Sequence, residues 1–263
     1  MTVKKIIFKA IKIIGVSVFW IAIWSLISLT VNNEILFPTP ISVVKALTSL
    51  VTTADFWLST GISLVRVFLG ILFSIVIGIL LAVLTVNIRI LDTLLSPLLS
   101  VVKATPVASF IILAWLWINS VTLPIFITSL IVIPIVWSNV CEGIRSVDNS
   151  LLEVTKVYKF STYQKLYRLY LPSVAPFFMA ACKSALGLAW KAGISAEVLT
   201  TPRRAIGTEL YLSKTYLELP TLFAWTLVVI ILSMVFEKLF ITGIEKIGSK
   251  LRILPKGGSN DKA

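Results

Sequence analysis

The feature that most limits what this chain can become is a set of apolar runs, each long enough to cross a bilayer. A helix rises about 1.5 Å per residue, so about 20 mostly apolar residues span the hydrocarbon. Six such runs occur, at residues 11–29, 60–86, 91–118, 123–141, 172–199 and 222–241. Of the 263 residues, 57% are hydrophobic and 14% charged, whereas soluble domains are about a quarter charged. The expected fold is an all-α membrane protein, one domain of six transmembrane helices covering residues 1–263. The first run follows Lys4, Lys5 and Lys9, a flank that secretory signals share. It is longer than a signal's apolar region and no A-x-A site ends it, so it reads as a retained helix.

Two runs carry internal punctuation. In residues 60–86, Gly70, Ser74, Gly78 and Ala82 recur at every fourth position along one side, which lets a second helix approach closely. Residues 91–118 contain Pro97 and Pro106. Each proline removes a backbone donor and favours a kink, and kinked spans often border a cavity because freed carbonyls need partners. Between the runs, Pro38-Thr39-Pro40 reads as a turn followed by a short amphipathic helix, and residues 200–220 are polar and charged; both stretches are long enough to be more than turns, with a connecting loop as the plainer reading of each. The final LPKGGSNDKA reads as a disordered tail.

An even number of spans places both termini on one side. Of the 24 Lys and Arg residues, Arg66, Lys103, Lys183 and Lys191 lie within spans, and Lys45, Arg203, Arg204 and Lys214 lie on the side away from the termini. The remaining sixteen share the side of the termini, so the positive-inside rule makes both ends cytoplasmic, together with the segment 143–171. The net charge of +12 then reflects orientation, not nucleic-acid binding.

Several chemistries are disfavoured. There is no histidine, and Cys141 and Cys182 stand apart inside apolar runs, so neither a metal site, a cofactor nor a disulfide framework is expected. An intramembrane enzyme would lack its usual acid–base groups. Residues 243–250, GIEKIGSK, approach the phosphate-binding pattern G-x4-G-K-[ST], but Lys and Ser are reversed and no strand precedes them. The chain is not expected to hydrolyse ATP itself.

An ionisable group at the bilayer centre costs about 2.5–3.5 kcal/mol on insertion scales, so it usually faces a cavity or a partner. Lys103 and Lys183 lie about 18 and 16 Å into their runs. Lys183, Gly187, Lys191 and Ser195 step by four. At about 100° per residue, Trp190 and Glu197 return to within about 20° and 40° of Lys183. Two readings stand. One is an internal ion pair, such as Lys191 with Glu197. The other is a translocation pathway lined by Lys103, Lys183, Trp190, Lys191 and Glu197, suited to an anion. Arg66, near the end of its run, can reach the interface by snorkelling.

The segment EVTKVYKFSTYQKLYRLYLP, residues 153–172, is charged and tyrosine-rich between two apolar runs. Ser150 and Glu153 fit a capping box, as do Ser161 and Gln164. Two short helices are expected, broken near Lys159-Phe160, with Pro172 in the first turn of the fifth span. Phe160, Tyr163, Tyr167 and Tyr170 could anchor a partner. The same composition suits an amphipathic helix resting on membrane lipid.

The segment resembles the EAA motif of binding-protein-dependent ABC importer permeases, E-A-A, three residues, G, nine residues, I-x-L-P. Glu153, Leu171 and Pro172 match, Leu169 replaces Ile, and Val154, Thr155 and Lys159 replace the alanines and the glycine. A glycine there serves a turn with φ > 0, which a lysine adopts only under strain. LFPTPISVVKAL, LLSPLLSVVKATPVASFIILAWLWI and ALGLAWKAGISAEVL are similar to stretches of the nitrate/sulfonate/taurine type. The resemblance implies a type I ABC importer-like fold with cytoplasmic coupling helices in a bacterial plasma membrane. It implies a permease dimer, a homodimer or a heterodimer, and a cytoplasmic ABC ATPase dimer gripping Glu153, Lys156, Lys159, Phe160, Tyr163, Leu171 and Pro172. It further implies an extracytoplasmic solute-binding protein and a small anionic solute. The competing reading is an ion-coupled secondary transporter, which would need unwound half-helices and usually paired repeats.

Overall fold

The computed structural model describes residues 3–250, all of whose regular structure is helical. The tail LPKGGSNDKA and three of the counted cations, Arg252, Lys256 and Lys262, lie outside the described residues. In order come α1 (Val3–Val31), α2 (Pro40–Val51), α3 (Ala54–Asn87), α4 (Arg89–Ala104), α5 (Val107–Ala114) and α6 (Leu123–Arg145). There follow α7 (Asn149–Val157), α8 (Thr162–Lys165), a π-helical turn (Leu166–Tyr170), α9 (Leu171–Thr200), α10 (Ile206–Thr215) and α11 (Leu219–Lys250).

Local chemistry sets several of these boundaries. Thr39 caps α2, its side chain accepting the Ser42 amide, with Pro40 in the first turn. Thr53 caps α3 in the same way through Phe56, and Asp55 sits in the electropositive first turn. Helices α3, α6 and α9 pack along most of their lengths and form the centre of the molecule. Gly70, Ser74, Gly78 and Ala82 are buried on the side of α3 that meets α6. A methyl group at Gly70 would come within 2.8 Å of Thr128, and one at Gly78 within 2.8 Å of Val136, so the two backbones approach too closely for any larger residue. Trp137 Nε1 donates to Thr85 Oγ1 at 3.0 Å across the same seam. Cys141 and Cys182 are free and buried. Near its C-terminal end helix α1 is tied to the following segment, where Trp24 Nε1 donates to Pro38 O at 3.0 Å and Ser28 Oγ to Phe37 O at 3.2 Å.

Two expectations are corrected. Residues 91–118 do not form one kinked helix. Helices α4 and α5 meet at 104° across Thr105-Pro106 and make either a broken span or a re-entrant loop. Pro106 forces Thr105 into an extended conformation (ψ 135°), which ends α4. Among the described residues, five helices are therefore long and apolar enough to cross a membrane, or six if the bent pair counts as one span. Residues 200–220 are not merely a loop, because they contain α10. Its Ile206 and Gly207 are buried against the end of α9. Residues 243–250 continue α11 as helix, without the strand-to-helix turn that a phosphate loop requires.

Candidate functional site

Two regions concentrate the polar side chains, at opposite ends of the long helix that runs from Thr162 to Thr200. The first is the α7–α8 segment. Helix α7 is capped by Asp148, whose Oδ1 accepts the Ser150 amide at 2.9 Å. Hydrogen bonds from Ser150, the main-chain one first, hold the Asp148 carboxyl below the ordinary carboxylate range. Ser150 is thus inside the helix, and the expected Ser150–Glu153 capping box does not form. Asp148 sits one position ahead of the helix start and already faces the open amides. Glu153 is exposed and makes no ion pair or hydrogen bond among the described residues.

Helix α7 ends in the turn expected of a glycine, with a lysine in it. Lys159 has φ 49°. Its amide donates to Lys156 O at 3.1 Å and the Phe160 amide to Thr155 O at 2.9 Å. This is the paired closure of a Schellman motif, normally completed by glycine. Ser161 then opens α8 with a complete capping box: its Oγ accepts the Gln164 amide at 3.2 Å and Gln164 Oε1 accepts the Ser161 amide at 2.9 Å. The Leu171 amide reaches back to Leu166 O, closing a π-helical turn just before Pro172. Pro172 lies in the first turn of α9, as expected, while the helical run itself continues unbroken from Thr162. The wider turn accommodates a ring that would crowd the carbonyl four residues back.

The segment faces solvent with apolar as well as charged groups. Tyr163 is 73% exposed and stacks on Tyr167, with ring centroids 6.2 Å apart. Leu151, Val154, Val157 and Tyr158 are exposed, as are Lys156 and Lys159, while Phe160 and Pro172 are half-buried. Leu171 is exposed just before Pro172. Behind it, a cavity of about 340 Å³ opens between Val83 of α3, Ile144 of α6, Leu166 and Tyr170.

The second region surrounds Glu197, which is fully buried. Its Oε1 lies 3.1 Å from Arg66 Nη1, and its Oε2 accepts from Ser63 Oγ at 2.7 Å and from the Gly207 amide at 3.2 Å. The Ile206 amide donates to Ser63 Oγ at 2.9 Å and Arg66 Nη2 to Arg203 O at 3.3 Å. The Arg66 side chain is only 8% exposed. It pairs inside the protein and does not snorkel. A methyl group at Gly207 would overlap Glu197 Cβ, so this glycine is what lets the start of α10 lie on the carboxylate.

The stripe expected on the fifth span is therefore divided. Glu197 pairs with Arg66, not with Lys191. Trp190 is buried, donates to Val229 O at 3.1 Å and stacks on Phe236 of α11. Lys183 is 56% exposed and lies 3.9 Å from Glu245. Lys191 is exposed with no ion pair among the described residues. Lys103 is exposed beside the α4–α5 break, donating to Ser138 Oγ at 3.2 Å. The three lysines remain accessible, whereas Trp190 and Glu197 belong to the packing. The face of α9 is continuous, but its neighbours change along its length: α3 and α10 cover Glu197, while the largely exposed Lys183 meets Glu245 of α11.

Residues 74–242 match the family profile described as "Binding-protein-dependent transport system inner membrane component". The chain is 28% identical over 182 residues to SsuC of Bacillus subtilis (strain 168), a protein named for aliphatic sulfonates transport, covering 68% of this chain and 66% of that one. It is 29% identical to the nitrate import permease protein NrtB of Synechococcus elongatus, covering 68% of each. It is 30% identical to the bicarbonate transport system permease protein CmpB of Synechocystis sp., covering 58% of this chain and 54% of that one. The chain thus spans about half to two thirds of these relatives' own lengths.

Proposed function

Because the chain belongs to the inner membrane component family of binding-protein-dependent transport systems, a multi-pass transport permease family, we propose that it is the permease subunit of an ATP-driven importer. In this reading the α4–α5 pair counts as one of six spans and both termini are cytoplasmic. The segment 143–171 then docks in a groove of a separate ATPase. Two permease copies enclose the pathway, and an extracytoplasmic binding protein delivers the solute. The relatives are named for sulfonates, nitrate and bicarbonate, all anions. A small anion is the proposed solute, with Lys103, Lys183 and Lys191 as accessible cations along its path.

The observation that carries the reading is the state of Glu153 and Tyr163. Had Glu153 capped its helix, its place in the motif would need no partner. Instead Asp148 caps, and Glu153 stands free in solvent beside an exposed aromatic pair. Lys159 adopts the left-handed turn that the motif's glycine serves. Exposed tyrosines next to unpaired charge are what a protein groove recognises.

The test is reconstitution with the ATPase and the binding protein. Glu153→Ala and Tyr163→Ala should leave the subunit folded and uncouple ATP hydrolysis from uptake. Unchanged uptake in both removes the docking role. A cysteine at Ser161 should react only with reagents that reach the cytoplasm, and labelling from outside in intact cells would overturn the orientation. The bent α4–α5 pair also supplies one of the broken helices that an ion-coupled transporter uses. Uptake driven by an ion gradient without ATP would favour that reading.

A further inference from the structure

The turn at residues 201–205, TPRRA, is held more firmly than a five-residue connection needs. The Thr201 amide donates to Glu197 O at 2.8 Å, Arg66 Nη2 to Arg203 O at 3.3 Å and Thr208 Oγ1 to Pro202 O at 2.6 Å. At its exit, the Ile206 and Gly207 amides are fixed by Ser63 and Glu197. Two of its residues, Thr201 (φ 42°) and Arg204 (φ 53°), hold the left-handed conformation that L-residues disfavour. Such backbone persists only where the surroundings over-determine it. Pro202 and Ala205 are buried, and Arg203 and Arg204 between them are exposed. Neither arginine has an ion-pair partner among the described residues.

In the orientation proposed above, on which this inference rests, the turn faces outward. Only four of the 24 Lys and Arg residues would lie there between spans, Lys45, Arg203, Arg204 and Lys214, so two of them are neighbours on this one turn. The family description makes transport depend on a binding protein, and that partner must seat on the outward face. Exposed cations in water and salt hold a small free anion weakly. Against carboxylates grouped on a protein surface, arginines act as bidentate forks and steer association. With the backbone already held rigid, only the two side chains remain to be ordered on contact. We infer that the 201–205 turn, clamped by the buried Arg66–Glu197 pair, is a preset cationic contact for an acidic surface on the binding protein, recognised through Arg203 and Arg204.

The experiment titrates candidate extracytoplasmic solute-binding proteins of the same organism against the permease–ATPase complex in lipid nanodiscs, reading stimulated ATP hydrolysis at low and high salt. Arg203→Glu combined with Arg204→Glu should raise the half-saturating concentration by about tenfold or more and flatten its salt dependence, with the maximal rate recovered at saturation. Arg203→Lys with Arg204→Lys, which keeps charge and loses the fork, should raise it by about threefold. If charge reversal prevents folding, Arg203→Gln with Arg204→Gln, verified by thermal unfolding, gives the same reading. An unmoved half-saturation overturns the inference. So does a lowered maximal rate at unchanged half-saturation, which would assign the arginines to solute passage. An unmodified complex that no binding protein stimulates removes the importer reading and this inference with it. Normal stimulation with indifferent variants removes this inference alone.

Discussion

Glu197 and Glu153 sit at the two ends of the same stretch of chain and meet opposite fates. Glu197 is fully buried and receives three donors, one of them a guanidinium. Glu153 stands in solvent with none among the described residues. Burial without compensation would cost Glu197 several kcal/mol, so Arg66, Ser63 and the start of α10 are drawn in around it. Glu153 has no such demand and leaves its segment free to engage something else. One end is completed from within the chain. The other is left open.

The largest expected effect breaks the buried end. Glu197→Ala strands the Arg66 charge and should destabilise by about 3–5 kcal/mol, whereas Glu153→Ala should fall within about 0.5 kcal/mol. Denaturant unfolding of the purified subunit measures both, and equal losses would erase the contrast. Arg66→Met combined with Glu197→Met should recover most of the loss, since two packed apolar groups replace the pair. A smaller effect sharpens the geometry. Gly207→Ala should cost about 1–3 kcal/mol through overlap with Glu197, but Gly187→Ala, with no atom within 4 Å of its new methyl, should be neutral or mildly stabilising.

At the open end, Lys159→Gly should relieve the left-handed turn by about 1 kcal/mol at most, partly offset by a freer unfolded chain. Slower hydrogen exchange at the Phe160 amide would register it. The smallest effect is one of sign. Asp148 is held below its ordinary value of 3.8, so the stability it gives α7 is present above that value and is lost as the pH falls beneath it. Glu209 on α10 is pushed above its ordinary 4.5, by burial first and then by Asp55. Its favourable contribution is complete below 4.5 and is lost as the pH rises through its folded value. Amide exchange on acidification should therefore speed in α7 and slow in α10. The same sign at both would refute the assignment.

Much of this arrangement was legible in the residues, and the failures have physical causes. Apolar length sufficed for the long helices, because backbone groups in lipid must be paired within the segment. The Ser161–Gln164 box was legible because capping is local. The Ser150–Glu153 box was not realised because Asp148 met the helix start first. Pro106 marked a break, but its 104° angle depends on what α4 and α5 pack against. The Arg66–Glu197 pair joins residues 131 apart. Helical phase compares positions on one helix, so it could offer Glu197 only Lys191. Nothing local announced that α10 would fold back and fill the site, since residues 200–220 are polar and lack an apolar run.

The π-helical turn before Pro172 has a mechanical corollary. Because the helix continues through it, Thr162 to Thr200 forms one unbroken run of 39 residues, roughly 58 Å along its path. Tilting such a run by about 5° around its middle would swing each tip by about 2.5 Å in opposite directions. Where the run moves as one body, motion imposed on the tyrosines at one tip arrives, reversed, at the carboxylate on the other.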